Sequence, residues 1–240
     1  MTIPFSQRTG QRRIRIATYN VHGWVGIDNR QVPLRAIRVI SELEADIIAL
    51  QEATFSLEQG GHLDESFLTR LTGMNVALGP TFFKEPFHFG NVILSRFPIT
   101  KIRHIDLSTH PYEPRAAIDA VITVEGREIR VLNAHFGLRG IERRFQSGML
   151  VKALSARPND KVILMGDLNE WSPRCPTLKD LYALFSSTVH PKSFPSFFPV
   201  FALDRILVSP EESLEKIRAF MTPETVMASD HLPVTGIVSV

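Results

Sequence analysis

The chain has 240 residues, of which 44% are hydrophobic, and its 27 Lys and Arg nearly balance its 25 Asp and Glu, giving a net charge of +2. These values are typical of a soluble globular protein and exclude a disordered or collagen-like chain. The charge balance argues against coating of nucleic acid by bulk electrostatics, although it allows a local basic groove. The single cysteine, Cys175, excludes an intrachain disulfide framework and a multi-cysteine zinc site.

The N-terminal residues carry arginines but no apolar stretch of signal-peptide length. No run of the sequence approaches the roughly 20 apolar residues that span a bilayer. We therefore expect a cytoplasmic protein without stable membrane insertion, and we expect it to be a monomer. A flexible N-terminus is predicted over residues 1–12, with contact of its arginines to nucleic acid or lipid headgroups as the alternative.

Short apolar, β-branched runs predict strands, and apolar residues at helical spacing predict helices. A helix is predicted to begin near Pro33 and to run to Leu43, and a shorter helix is predicted over residues 63–71. The strands predicted in this first half of the chain cover residues 14–19, 46–50 and 91–94.

The second half begins with a predicted hairpin, because runs over residues 116–124 and 129–134 flank a turn at Gly126. Strands that alternate with helices, without a linker or a repeat, predict one layered domain of the α/β (or α+β) class. The remaining predicted helices cover residues 141–155 and 177–184, and the remaining strands cover residues 162–165, 202–208 and 234–240.

Polar side chains follow the predicted buried strands directly. Because functional loops gather at sheet edges, we expect these side chains to form one shared site. Each has a structural alternative, such as a turn for Asn20, a core position for His135 or a pairing of Asp204 with Arg205. Together they are hard to explain without a function, since burying unpaired charge is costly. The residues are Asn20, Gln51, Glu52, Asn133, His135, Asp167, Asn169, Asp204, Asp230 and His231.

The residue types at these strand ends point to phosphoryl chemistry. Carboxylates and amides without a cysteine cluster suit a hard cation such as Mg²⁺ or Mn²⁺. Asp167 and Asn169 would face the same side of an extended segment, so one can deprotonate a water while the other orients a substrate oxygen. A carboxylate near His231 would hold its imidazole charged beside an anionic oxygen. The chain has no Ser or Cys nucleophile motif and no Gly-rich nucleotide loop, which favours direct attack by water.

The segments that carry these residues are IATYN (16–20), LQE (50–52), GNVILS (90–95), NAH (133–135), GDLN (166–169), LDRI (203–206) and SDH (229–231). Taken in this order, they resemble the motifs of the endonuclease/exonuclease/phosphatase superfamily, and most of all those of a small bacterial subgroup. That family includes deoxyribonuclease I-like nucleases, abasic-site endonucleases, inositol polyphosphate 5-phosphatases and neutral sphingomyelinases. The resemblance implies a single DNase I-like domain over residues 1–240, a four-layered α/β/β/α sandwich of two packed mixed sheets with the site at one edge.

The resemblance also implies roles for the residues that match the family's motifs. Glu52 would be the main metal ligand, with Asn20 beside it, and Asp230 would lie close to the metal or to the histidine that follows it. Asp167 would position or deprotonate the attacking water. Asn169 would contact the phosphate.

The two histidines would lie on the phosphate side of the site. His231 would bind a phosphate oxygen while Asp204 holds its ring, and His135 would supply a second imidazole. Four further residues are assigned to phosphate binding, with a surface salt bridge as the alternative for the arginine at 115 and an exposed loop as the alternative for the histidine at 88. They are Arg115, Asn91, His88 and Arg139.

The substrate is predicted to be a phosphodiester, because no strongly basic cluster for a multiply phosphorylated ring is present, and the first hypothesis is that this diester is nucleic acid. Arg139, Arg143 and Arg144 would contact phosphates while phenylalanines in segment 193–199 stack on bases. The alternative is a phospholipid or small phosphoester, with the phenylalanines against acyl chains. Core packing of the phenylalanines and a solvated helix face for the arginines are structural alternatives. The full polar set argues against a non-catalytic binding module, and Arg205, where many nucleases carry an aromatic residue, argues against a simple transfer of DNase activity.

Overall fold

The computed structural model describes residues 12–61, 63–156, 161–185, 190–210 and 213–240. The prediction of a flexible N-terminus falls outside the described residues for 1–11. Arg12 is described, and it exchanges two backbone hydrogen bonds with Val240. Within the described ranges, no helix is long and apolar enough to cross a membrane.

Strands alternate with short helices along the described chain, as the sequence pattern predicts. Most predicted elements are present, with ends shifted by a few residues. In chain order the elements are β1 (Arg13–Asn20), α1 (Pro33–Glu42), β2 (Ile47–Phe55), α2 (Glu65–Thr72), β3 (Asn75–Lys84), β4 (Phe87–Ser95), β5 (Ile99–Asp106), β6 (Ala116–Val124), β7 (Arg127–His135), α3 (Gly140–Ser155), β8 (Val162–Asp167), α4 (Lys179–Tyr182), β9 (Asp204–Ser209), β10 (Leu214–Ala219), α5 (Pro223–Ala228) and β11 (Val234–Ser239).

The strands form two mixed sheets. One has the order β10-β11-β1-β2-β4-β3 and the other has the order β5-β6-β7-β8-β9. Each sheet has one parallel pair near its centre, β1 with β2 and β7 with β8. The predicted hairpin between β6 and β7 is present, and Gly126 adopts φ +82° in its turn, where a side chain would be strained.

The two sheets pack face to face, and helices cover their outer faces. On β1, Ile14 and Ile16 belong to the core between the sheets, whereas Ala17 and Tyr19 belong to the core beneath α1. The second sheet packs its outer face against α3 and α4 through a third buried cluster that includes Leu150. Because both faces of the central strands are buried, these strands read as nearly continuous apolar runs. The four-layered sandwich predicted from the sequence is confirmed.

The sequence pattern missed three strands and one helix. The strands β3, β5 and β10 are all edge strands, and β5 is exposed along almost all of its length. Charged residues interrupt the apolar alternation in β5 and β10, which protects an edge from pairing with another chain. The missed helix, α5, has only six residues, too few to establish a helical period.

A buried polar network joins the two sheets next to the edge where the predicted site lies. The Asn133 amide donates to the backbone oxygens of Leu50 at 2.8 Å and Val92 at 2.9 Å. Gln51 Nε2 donates to Asn133 Oδ1 at 2.7 Å and also bonds Thr18. These bonds fix the end of β2 against β7, so the network positions the site rather than contributing reactive groups to it.

Candidate active site

Strand register brings three of the predicted residues into one row. His135 on β7 pairs with Asp167 on β8, and Asp167 pairs with Asp204 on β9. From the other sheet, the Asn20 amide at the end of β1 donates to Asp167 Oδ2 at 3.1 Å and to Glu52 Oε1 at 2.9 Å. The strand ends of both sheets therefore converge on the Asp167 carboxylate, as the sequence predicts.

A β-bulge aims Glu52 at this cluster. The register of β2 against β4 shifts between Leu50 and Ala53, and Glu52 adopts φ +55° within that interval. Such a conformation is costly for a residue with a side chain and occurs at sites where it re-aims a functional group. Asn169 also has a positive φ of +49°, and its backbone N–H donates to Asp167 Oδ1 at 2.9 Å.

His231 is held by a carboxylate on each side of its ring. Its Nδ1 donates to Asp204 Oδ2 at 2.9 Å, and its Nε2 lies 3.7 Å from Asp167 Oδ2. The Ser193 hydroxyl donates to the same Asp204 oxygen at 2.5 Å. Burial alone would lower the pKa of His231, but the carboxylates of Asp204 and Asp167 outweigh it and raise the pKa to about 10. The ring is therefore an imidazolium at neutral pH.

His135, by contrast, is uncharged at neutral pH. Burial lowers its pKa well below the usual value, and the positive charges of Arg115 and His231 lower it further. Arg115 Nη1 lies 3.2 Å from His135 Nδ1, and because an arginine only donates, Nδ1 must accept. The other ring nitrogen, Nε2, lies 3.3 Å from the Asn169 amide nitrogen, 3.7 Å from Glu52 Oε1 and 3.8 Å from Asp167 Oδ2.

The Asp167 carboxylate has a raised pKa. Burial raises its pKa to about 6, with the charge of His231 opposing the rise and that of Asp204 adding to it. A carboxylate with a pKa near the working pH is suited to accept a proton from water. Perturbed groups of this kind gather at functional sites.

The donor set fits a hard divalent cation. Glu52 and Asp167 place carboxylate oxygens together around the Asn20 amide nitrogen, and the buried Asp204 Oδ1 has no hydrogen-bond partner. Among the described residues, ligand atoms of Asp167, Asp204 and His231 lie within 4.8 Å of one another. Since His231 and Asp204 already bond each other, the open oxygens on the Glu52 side are the better match for an ion.

The third predicted metal ligand is Asp230, which directly precedes His231 in the chain. In the structure its carboxylate lies near a different histidine, His22. Its Oδ1 is 3.6 Å from His22 Nδ1 and 3.4 Å from the Ser229 hydroxyl. Its contacts are therefore with a histidine at the mouth of the site, and its role toward the metal stays a prediction. The sequence analysis overlooked His22, although it follows Asn20 by two residues and its N–H donates to Asn20 Oδ1 at 2.9 Å.

The four residues predicted to bind phosphate are divided by the structure. Arg115 is buried in the cluster, where it pairs with Glu113 at 2.7 Å as well as with His135. Asn91 lies beside the β2 bulge, and its amide is used in a 2.8 Å bond to the backbone oxygen of Ala116.

The other two phosphate-binding candidates lie outside this hydrogen-bonded cluster. His88 pairs with Phe55 in the strand register, three residues beyond Glu52, and its ring packs against Phe55 and Phe83. Arg139 is exposed and lies over the Tyr112 ring, 5.3 Å from its centroid. Their roles in phosphate binding stay predictions.

Two features near the site had little or no sequence signal. Ser193 reaches Asp204 across eleven residues of irregular chain, a contact that no motif encodes. Arg143 is buried, with Nη2 3.6 Å from Glu170 Oε1 and Nη1 donating to Leu138 O at 2.6 Å. Arg143 therefore braces the loop after Asn169, and the prediction that it contacts nucleic acid has no support because its guanidinium is withdrawn from the surface.

A four-layered sandwich that gathers acids, amides, one charged histidine and one neutral histidine at one edge defines a phosphoester hydrolase. The chain belongs to the Endonuclease/Exonuclease/phosphatase family, whose family model matches residues 17–231. It is 28% identical to the uncharacterized protein YbhP of Escherichia coli K12 over 219 residues, which cover 84% of this chain and 87% of YbhP.

Solved structures share the fold at lower sequence identity. A family member from Bacteroides thetaiotaomicron is 18% identical with a TM-score of 0.74, covering 95% of this chain and 98% of that one. A mannosyl-6-phosphatase from the VPI-5482 strain of the same species is 19% identical with a TM-score of 0.71, covering 94% and 99%. At these identities the likeness establishes the fold alone.

Proposed function

We propose that the protein is a divalent-metal-dependent phosphodiesterase in which water attacks phosphorus directly. The observation that carries this proposal is the buried Asp167 carboxylate, set between a charged His231 and a neutral His135. Water adds its oxygen to phosphorus while one P–O bond breaks, so the products are a phosphomonoester and an alcohol.

Asp167 is suited to be the general base. Its raised pKa of about 6 leaves it ionised but basic at neutral pH, so it can take a proton from an attacking water. The Asn20 amide and the Asn169 N–H hold its two oxygens in place. Holding the base in one position lowers the entropic cost of reaching a reactive geometry, which contributes to the rate.

His231 is suited to stabilise the developing negative charge on the phosphoryl oxygens. The Asp204 carboxylate keeps its ring protonated and oriented, so Nε2–H can donate to an oxygen of the transition state. Arg115 is the second cation of the cluster, and its guanidinium lies against Nδ1 of His135. The neutral His135 ring adds no further charge to the cluster.

Glu52 and Asn20 would hold the metal, and Asp230 is the third ligand predicted by the sequence. A bound Mg²⁺ or Mn²⁺ would neutralise charge on the phosphoryl oxygens as a Lewis acid. The open oxygen donors around Glu52 and the absence of thiolate ligands in the sequence support an oxygen-seeking cation. The choice between the two ions is part of the proposal.

A diester is favoured over a monoester because the positive charge within the described cluster is modest. Only Arg115 and His231 are cationic there, which matches the single charge of a diester better than the double charge of a monoester. Nucleic acid was the substrate class predicted by the sequence, but burial of Arg143 removes one of the three arginines on which that preference rests. The choice of substrate class therefore rests on the surface around the site.

The proposal can be tested with small-molecule substrates. We expect the purified protein with Mg²⁺ or Mn²⁺ to hydrolyse bis(p-nitrophenyl) phosphate faster than p-nitrophenyl phosphate. Excess chelator should abolish the activity, and added metal should restore it. Activity that survives the chelator would contradict the metal dependence, and a preference for the monoester would contradict the phosphodiesterase assignment.

A further inference from the structure

Large apolar side chains project into solvent around the site. Leu138, Ile141, Phe197 and Phe198 are each 64–68% exposed, and Trp171 is 39% exposed. We call these five residues the apolar rim. Several large apolar side chains exposed on neighbouring segments of a globular protein mark an interaction surface, since they would otherwise favour aggregation.

The apolar rim lies on segments that leave one edge of one sheet, four of its residues on loops and Ile141 in the first turn of α3. The loops follow β7, follow β8 and precede β9, and these three strands are neighbours with β9 antiparallel to the others. Ring contacts join the rim to the catalytic cluster: Trp171 packs edge-on against Phe194 at 5.6 Å, and Phe194 lies 4.7 Å from the His231 ring. Any surface that covers the rim would therefore face the site.

The loop that carries Phe197 and Phe198 is firmly anchored. Ser196 donates its N–H to Asp230 O and its hydroxyl to Ser229 O, both at 2.7 Å. Backbone bonds between Phe194 and Phe201 close the loop at its base. Because both ends are fixed, the two phenylalanines are held in solvent by the fold and are not the tip of a loosely tethered segment.

On the segments that carry the apolar rim, the exposed charges have one sign. Within residues 136–144, 171–176 and 190–201, the single acid is Glu142, which is buried. The exposed cations of the same segments are Arg139, Arg144, Arg174 and Lys192. Apolar tips and exposed cations on the same segments are suited to the interface of an anionic lipid membrane.

The aliphatic members of the rim separate a lipid surface from a nucleic acid. Bases stack on aromatic rings, so Phe197, Phe198 and Trp171 would suit either partner. Leu138 and Ile141 present no π-face to a base, yet both gain from burial among acyl chains. Together with the burial of Arg143, this favours the lipid.

We propose that the apolar rim docks on the surface of an anionic phospholipid membrane and that the phosphodiester of a phospholipid headgroup is the substrate. This inference rests on the proposed phosphodiesterase function. Docking on the rim would leave the site facing the headgroup layer, where each diester carries one negative charge. Water would split the headgroup diester into a phosphomonoester and an alcohol, as for any diester in this site.

Vesicle binding tests the docking step without catalysis. The full-length Asp167→Asn variant is mixed with vesicles of phosphatidylglycerol and phosphatidylcholine, and bound protein is measured by co-sedimentation. We expect binding that weakens about tenfold or more in the Phe197→Ser/Phe198→Ser background, since two large apolar side chains no longer leave water. Vesicles of phosphatidylcholine alone should bind less, because they lack the anionic charge.

A matched control removes two exposed apolar side chains elsewhere. Leu71 and Ile102 are 39% and 49% exposed and lie on α2 and β5, away from the rim. Leu71→Ser/Ile102→Ser should leave vesicle binding unchanged. Equal losses in both double variants, or no vesicle binding at all, would overturn the docking proposal. Binding of a single-stranded oligonucleotide in place of vesicles, lost on mutation of the rim, would overturn it in favour of nucleic acid.

Hydrolysis by the unmodified protein tests the substrate. We expect phosphatidylglycerol vesicles to release glycerol or glycerol phosphate into the aqueous phase in the presence of metal. If bis(p-nitrophenyl) phosphate is cleaved and vesicle lipid is not, the lipid substrate is wrong while the phosphodiesterase stands. If neither is cleaved although vesicles bind, the phosphodiesterase proposal itself has failed.

Discussion

Two aspartates of the same sheet, Asp119 on β6 and Asp167 at the end of β8, are both buried and both lie near cations. Arg130 donates hydrogen bonds to both oxygens of Asp119, from Nε to Oδ1 at 2.8 Å and from Nη2 to Oδ2 at 2.7 Å. Arg103 adds a further bond of 3.1 Å to Oδ2. By contrast, the two histidines that flank Asp167 stay 3.7–3.8 Å from its Oδ2.

The two acids differ in how fully strong hydrogen bonds from cations occupy their carboxylate oxygens, which we call their saturation. Burial alone would raise the pKa of Asp119, but the hydrogen bonds from Arg130 and Arg103 outweigh it and lower that pKa. Asp167 lacks a bidentate partner, so burial prevails and its pKa rises to about 6. A saturated carboxylate holds the fold together, whereas an unsaturated one keeps room for water, metal or substrate.

The largest expected effect is on catalysis at Asp167. Asp167→Asn should lower turnover of bis(p-nitrophenyl) phosphate about 1000-fold, because the amide cannot accept the proton of water. Thermal unfolding should show no loss of stability, since a costly buried charge is removed. Asp119→Asn serves as the matched control and should retain turnover below its own unfolding temperature. Comparable losses of turnover in the two variants would break the distinction between the two acids.

The next effect concerns the carboxylate that holds His231. Asp204→Asn should lower turnover about 100-fold, because the pKa of His231 falls when its negative partner is lost. The alkaline limb of the pH profile should move to lower pH for the same reason. Ser193→Ala removes a bond to the same carboxylate but keeps the charge, so its loss should be about tenfold or less. An unmoved alkaline limb in Asp204→Asn would argue against the role given to His231.

Removal of the Asp119 partner should affect stability and spare catalysis. Arg130→Met leaves Asp119 buried with Arg103 alone, and we expect unfolding to become easier by about 2 to 3 kcal/mol. Urea unfolding measures the change, and turnover under native conditions should be unchanged. If Arg130→Met had normal stability but impaired turnover, the Asp119–Arg130 pair would belong to catalysis and not to the stability of the fold.

The smallest expected effect is an opposite response of the two acids to pH. The folded pKa of Asp167 lies above its unfolded value of about 4, so stability should rise by about 2 kcal/mol as pH falls from 6 to 4. Asp119 has a depressed folded pKa, so its contribution is present above about pH 4 and is lost as pH falls through that depressed value.

Urea unfolding of the apo protein in chelator, at several pH values, separates the two contributions. The gain in stability between pH 6 and 4 should be absent from Asp167→Asn, whereas the loss at lower pH should remain. A gain of equal size in that variant would assign the effect to another group.

Sequence pattern identified the interior of this fold better than its borders. The central strands carry uninterrupted apolar runs, so β1, β6 and β8 were predicted close to their observed bounds. The edge strands β5 and β10 were missed because one side of an edge strand faces solvent and tolerates charge, and the edge strand β3 was missed because Gly79 and Pro80 interrupt its apolar run. Local composition records burial, and burial is weakest at the edges.

The site divides in a similar way. Polar residues that directly follow a buried apolar run of the sequence, such as Glu52 and the residues up to His135, were predicted because a polar group after such a run is conspicuous. His22 and Ser193 were missed because their contacts depend on how irregular chain segments fold back. His88 shows the reverse case. It was predicted as a site residue because it lies next to a matching motif, but the strand register pairs it with Phe55, three residues beyond Glu52.

By itself, the sequence determined the layered fold, the chemical types of the site and the family, since these depend on local pattern and on motif order. Only the tertiary structure decided which acid stays unsaturated, which histidine carries charge and which arginine is withdrawn from solvent. Those properties depend on distances of a few ångströms between residues up to 147 positions apart, as between Asn20 and Asp167. Electrostatic energies in a buried site change steeply over such distances, and a linear pattern does not encode them.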